Sequence, residues 1–137
     1  MPRTEPVVES VRIRAEPERV FRYFTEPAAL VQWLGERAEL EPRPGGQFVV
    51  SIRGETIRGE YVEVHPPDRL RITWGRDGSA VLPPGGSELE IRLEAVEDGT
   101  LVTVVHRGLP EVERPRHGDG WRHFLQRLAD LEGSRPH

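Results

Sequence analysis

The residues of this 137-residue chain that could do chemistry are few: five histidines, three tryptophans, and no cysteine at all. His106 closes an apolar strand face that it shares with Val102 and Val104, so its imidazole is expected to point inward with them. A buried imidazole needs a partner, and desolvation keeps it neutral. It then serves either as a satisfied core residue or as a polar group that orients a ligand in a cavity. His117 falls on the inner side of the C-terminal helix near its start, beside the loop Leu109 to Glu113, where a capping or packing role fits. The pair His106 and His117 has no third ligand at a recognisable spacing and there is no HExxH pattern, so no metal is expected.

Absence narrows the chemistry further. Without cysteine there are no disulfides, thiolate nucleophiles or cysteine-rich metal sites. All 19 basic residues are arginine, which removes lysine Schiff-base chemistry. Gly45-Gly46 and Pro83-Pro84-Gly85-Gly86 read as turns, and neither is followed by the lysine of a phosphate-binding loop. No serine sits in a nucleophile elbow. No cofactor is implied. The tryptophans, Trp33, Trp74 and Trp121, come from three separate elements whose apolar faces converge, and such side chains fill cores or line pockets. Tyr61 is expected at a cavity wall or on an exposed face.

The elements that must position these residues follow from periodicity. Trp121, Phe124, Leu125, Leu128 and Leu131 recur at three and four, one stripe of a helix over Gly118 to Leu131. Val7 to Ala15 alternates as a strand that either starts late or lies at an edge, because Glu9 breaks its apolar face. Two short helices open at Glu16-Pro17-Glu18 and Thr25-Glu26-Pro27, with proline in the first turn and acids at the positive end of the dipole. Gly35 ends the second. From Glu36 to Gly108 the period changes to 2, with strands at Arg37–Glu41, Gln47–Arg53, Thr56–His65, Arg69–Trp74, Ser87–Glu97 and Thr100–Gly108. In the fifth of these Leu89, Ile91, Leu93 and Ala95 should face in, and Glu88, Glu90, Arg92 and Glu94 should face water. Asp98-Gly99 reads as a two-residue hairpin loop with positive φ at both positions. Hairpins dominate, so the class is α+β.

Length and the lack of a long linker predict one domain over 1–137 with a core at about 7–132. A net charge of −4 and a pI near 5.8 leave no basic footprint for nucleic acid. No apolar run is long enough for a membrane span. The first residues lack a signal peptide's apolar core, so a cytoplasmic protein is expected. Abundant arginine, glycine and proline without lysine or asparagine point to a GC-rich, bacterial genome.

Several motifs, in order, carry a resemblance: Ala15-Glu16-Pro17-Glu18-Arg19-Val20-Phe21; Glu26-Pro27 with Leu30 and Trp33; Gly45-Gly46-Gln47-Phe48; and Gly59-Glu60-Tyr61-Val62-Glu63-Val64. Pro66-Pro67-Asp68-Arg69-Leu70, Thr73-Trp74, His106-Arg107-Gly108-Leu109 and His117 with Gly120-Trp121 complete it. The chain resembles the SRPBCC (START-like) superfamily, and within it the proteins named for homology to an activator of the heat-shock-90 chaperone's ATPase. That resemblance implies a helix-grip fold: a curved antiparallel sheet of about six to seven strands round a long C-terminal helix, with a cavity between them. The leading expectation is a small apolar or aromatic ligand bound in that cavity with no catalysis evident, by a monomer or homodimer. A cyclase or dehydratase with His106 as general acid/base, and a chaperone-interacting module, are the alternatives. Trp33, Phe48, Val50, Tyr61, Trp74, Ile91, Val104, His106, His117, Trp121, Phe124, Leu125 and Leu128 are the residues expected to line the cavity.

Overall fold

The computed structural model describes residues 5–133, so the reading of residues 1–4 as carrying no leader lies outside the described part. The elements run β1 (Val7–Ile13), α1 (Pro17–Thr25), α2 (Pro27–Leu30), β2 (Arg37–Leu40), β3 (Gln47–Ile52), β4 (Glu55–His65), β5 (Arg69–Arg76), β6 (Ser87–Val96), β7 (Gly99–Arg107), a single 3-10 turn (Glu111–Glu113) and α3 (Arg114–Gly133). The strands form one antiparallel sheet in the order β1-β7-β6-β5-β4-β3-β2. From β2 to β7 this is a meander, because each strand pairs with the next, through short loops except for the longer segment 77–86 between β5 and β6. β1 adds to the outer edge of β7, so the chain must cross from one edge of the sheet to the other before β2. The two short helices make that crossing. The sheet curves round α3, and one continuous cluster of buried side chains fills the space between them.

α3 begins four residues earlier than its apolar stripe suggests. Pro115 suits a first turn, where a missing N–H costs nothing, while Gly118 and Gly120 weaken the sequence signal there. The early start puts His117 on the first turn. Gly118 lies buried against Val7, and Trp121, Leu125 and Leu128 carry the stripe into the core. Leu131 does not continue it and is 36% exposed. At about 100° per residue, position 132 falls closer to the Trp121–Leu128 line than 131 does. Glu132 takes that inner place, accepting hydrogen bonds from Tyr23 and Arg19 of α1.

Three further strand details depart from simple alternation. A bulge between Tyr61 and Glu63 inserts one residue into β4, so Tyr61 opposes Ile72 and Val64 opposes Leu70. Glu63 therefore turns to the outer face and meets Arg71 at 2.7 Å. Glu90, expected in water, is only 4% exposed. It does project outward, but the guanidiniums of Arg92, Arg107 and Arg69 close over it at 2.9 to 3.0 Å. Led by Arg92, they hold its carboxyl down at about 2. Ala95, expected to face in, is exposed at the hairpin end of β6. That hairpin pairs Val96 with Gly99, so its loop residues are Glu97 and Asp98, and neither takes positive φ. Gly99 does take the expected positive φ, 148°, but as the first residue of β7, and a Cβ there would also stand 2.0 Å from the Ile13 carbonyl oxygen of β1.

Candidate ligand-binding site

A chain of hydrogen bonds ties the two histidines to the two tryptophans beside them. The Trp121 indole N–H donates to His106 Nδ1 at 3.1 Å, so His106 carries its proton on Nε2 and donates to Ser87 Oγ at 2.9 Å. The Ser87 hydroxyl donates on to the Trp74 carbonyl at 2.8 Å. The Trp74 indole N–H donates to His117 Nε2 at 3.3 Å, and His117 Nδ1 donates to the Glu113 carbonyl at 3.0 Å. The two imidazoles stand edge to face, 5.1 Å apart. Burial pushes the His106 pKa well below the usual imidazole range, helped by the neighbouring His117. Burial also lowers His117, offset in part by the hydrogen bond and charge of Glu113. Both rings are thus neutral at pH 7, with every ring nitrogen occupied.

Above this network lies a cavity of about 220 Å³. Leu34, Ile52, Ile57, Trp74, Trp121 and Phe124 give it apolar walls, and Gly120 leaves a gap in the helix face. Its mouth carries charge: Arg53, Glu55 and Arg116 are exposed there, with Arg116 and Glu55 paired at 3.1 Å. Arg76 lines the inner wall and is clamped by both carboxylate oxygens of Glu113 at 2.8 and 2.9 Å. That ion pair is almost wholly buried, which fixes the base of α3 against the end of β5.

Of the residues expected to line a cavity, Trp74, His117, Trp121 and Phe124 do so. The other nine are elsewhere. Trp33, Phe48, Val50, Tyr61, Ile91, Val104, Leu125 and Leu128 are packed core, and His106 sits beneath the floor, fully buried. Helix and sheet fill the space between them along most of its length, so the opening is confined to the end where α3 begins. Trp33 donates to the Tyr23 carbonyl at 3.0 Å, and the Tyr61 hydroxyl donates to the Phe24 carbonyl at 3.0 Å, so each is satisfied inside the core. Sequence reasoning missed Ile52, Arg53, Glu55, Ile57, Arg76, Arg116 and Gly120. Two signals were present. Arg76 is the next step in the alternation Leu70, Ile72, Trp74, so it points inward, and Gly120 and Phe124 follow His117 at helical spacing.

Among the described residues no group of three histidines or acids could hold a metal, and no helix is long and apolar enough to cross a membrane. The sequence model of one family, described as Activator of Hsp90 ATPase homolog 1-like protein, matches residues 14–132. The chain belongs to that family. Among solved structures it is similar to the AHSA1-like protein RHE_CH02687 of Rhizobium etli, at 39% identity and a TM-score of 0.75. That match covers 99% of this chain and 89% of the other. It is also similar to DynU16, a protein of the dynemicin biosynthetic locus, at 25% identity and a TM-score of 0.81. There the match covers 93% of this chain and only 47% of DynU16, so this chain spans about half of that protein. PFC0360w, an HSP90 activator from Plasmodium falciparum, shares the fold at 21% identity and a TM-score of 0.76, over 93% of this chain and 96% of its own. No curated protein matches the sequence.

Proposed function

We propose that the protein binds a small hydrophobic or aromatic molecule in the pocket beside the first turns of α3. The observation that supports this reading is the cavity of about 220 Å³ walled by Trp74, Trp121, Phe124 and aliphatic side chains. A dry apolar cavity of about 150 Å³ is already enough for a benzene ring, so one ring with a short substituent fits here. Burying ~150 Å² of apolar ligand surface contributes about 4 kcal/mol, which alone corresponds to a dissociation constant near 1 mM. Polar contacts at the mouth must supply any tighter affinity. The cyclase or dehydratase alternative needs His106 as an acid or base, and a fully buried ring whose two nitrogens are both engaged supports binding rather than catalysis.

The test uses the tryptophans as reporters. Single-ring and short acyl compounds are titrated to about 5 mM, several times the millimolar dissociation constant expected above, while indole fluorescence is followed. Gly120→Leu serves as the control. A Cβ at position 120 meets nothing within 4 Å, so the added side chain enters the pocket, and leucine favours the helix over glycine by about 0.8 kcal/mol. Wild type should bind members of the panel, and Gly120→Leu should lose at least about tenfold in affinity while remaining as stable. Equal binding to both proteins, or to neither, refutes the pocket reading.

A further inference from the structure

We propose that the molecule held in this pocket is an organic anion, a carboxylate on an apolar body of about one ring, with its acid group seated against Arg53 at the mouth. This rests on the pocket reading above and adds the charge of the ligand.

The charges round the cavity are not balanced one for one. Arg76 is spent on Glu113 and Arg116 pairs with Glu55. Arg53 has no acidic side-chain partner for its guanidinium among the described residues. Its guanidinium carbon instead lies 5.6 Å from the centroid of the Phe124 ring, and both residues line the pocket. A cation stacked on an aromatic face keeps its N–H groups directed sideways, free to bond a carboxylate.

The backbone supports the same assignment independently. Arg53 and Gly54 form the two-residue loop between β3 and β4, and both are left-handed, at φ 52° and 83°. Arg53 is the only non-glycine residue with positive φ among the described residues. Asparagine, aspartate or glycine suits that position better. An arginine there is strained backbone carrying a long cationic side chain over a pocket, and its main-chain N–H is held by the Glu36 carboxylate at 3.1 Å. Opposite it, the first two turns of α3, the positive end of the helix dipole, form a wall through Arg116, His117 and Gly120. A chain with net charge −4 thus gathers three arginines round this opening. An amine would meet those cations, and a neutral ligand would leave Arg53 unused.

The experiment compares three compounds that share one body: 3-phenylpropanoate, 3-phenylpropanamide and 3-phenylpropylamine, measured by calorimetry at low ionic strength. The acid should bind about three- to tenfold tighter than the amide, with the amine weakest, and the advantage should shrink in about 0.5 M salt. Arg53→Asn, at home in a left-handed turn, should bind acid and amide equally, and Arg53→Lys should keep the preference for the acid. If acid and amide bind wild type equally, the anion assignment fails while the pocket reading stands. If the amine binds best, or if Arg53→Asn keeps the full preference for acid, the assignment is overturned. Should none of the three bind, the pocket reading fails and takes this inference with it.

Discussion

Replacing His106 with glutamine should make the protein less sensitive to acid, even though it weakens the fold at neutral pH. In the folded protein His106 is buried and stays neutral well below its ordinary value. In the unfolded chain it titrates near 6.5. Below that pH the unfolded state binds a proton that the folded state refuses, so stability falls as pH falls. Between pH 7 and pH 5 the loss from this one group is at most RT ln[(1 + 10^1.5)/(1 + 10^−0.5)], about 2 kcal/mol, the limit for a ring that stays neutral in the fold throughout. His117, also lowered, adds a smaller share in the same direction. Glutamine cannot titrate, and its side-chain oxygen can still accept the Trp121 indole N–H. At pH 7 the poorer fit should cost about 1–3 kcal/mol, the range for a buried hydrogen bond left imperfect. Urea unfolding at pH 7 and pH 5 gives the four stabilities needed. The difference between the two pH values should be about 2 kcal/mol smaller in His106→Gln than in wild type. If the two differences agree within about 0.5 kcal/mol, burial is not what keeps His106 neutral.

The outer face and the base of α3 give two further expectations. Glu90→Gln removes the negative charge that the guanidiniums of Arg92, Arg107 and Arg69 share, turns one of its two acceptor oxygens into a donor facing them, and should cost about 1–3 kcal/mol in denaturant unfolding at pH 7. Wild type should lose that contribution only as pH falls from the ordinary carboxylate range towards about 2, because the folded carboxyl sits below its unfolded value. Glu113→Gln strands the nearly buried Arg76 charge and should cost about 3–5 kcal/mol; a loss under about 1 kcal/mol would mean that the clamp does not hold α3 in place.

Much of the fold could be read from local pattern. The alternation of Leu89, Ile91 and Leu93 and the stripe of Trp121, Leu125 and Leu128 each reflect a single period, and burial follows it. Where two periods meet, the pattern misleads. The bulge after Tyr61 flips Glu63 outward, and no local residue announces it. Glu90 was legible as outward-facing but not as covered, because its cover comes from arginines on three different strands. The site was harder still. Large apolar residues such as Phe48, Tyr61 and Leu125 look the same in sequence whether they fill a core or line a pocket. What makes the opening is a glycine at 120, together with the charged residues Arg53, Glu55, Arg76 and Arg116 drawn in from separate elements.

The most direct test of the pocket is the indole N–H region of a nitrogen-edited NMR spectrum, which holds one signal for each tryptophan. Trp74 and Trp121 line the pocket, whereas Trp33 is buried against Phe24 and bonded to the Tyr23 carbonyl. Titration with 3-phenylpropanoate should shift the Trp74 and Trp121 indole signals along a saturable curve and leave Trp33 in place. A Trp33 shift as large as theirs, or no shift in any of the three at about 5 mM compound, a concentration well above the millimolar dissociation constant expected for a single buried ring, would contradict binding at the start of α3.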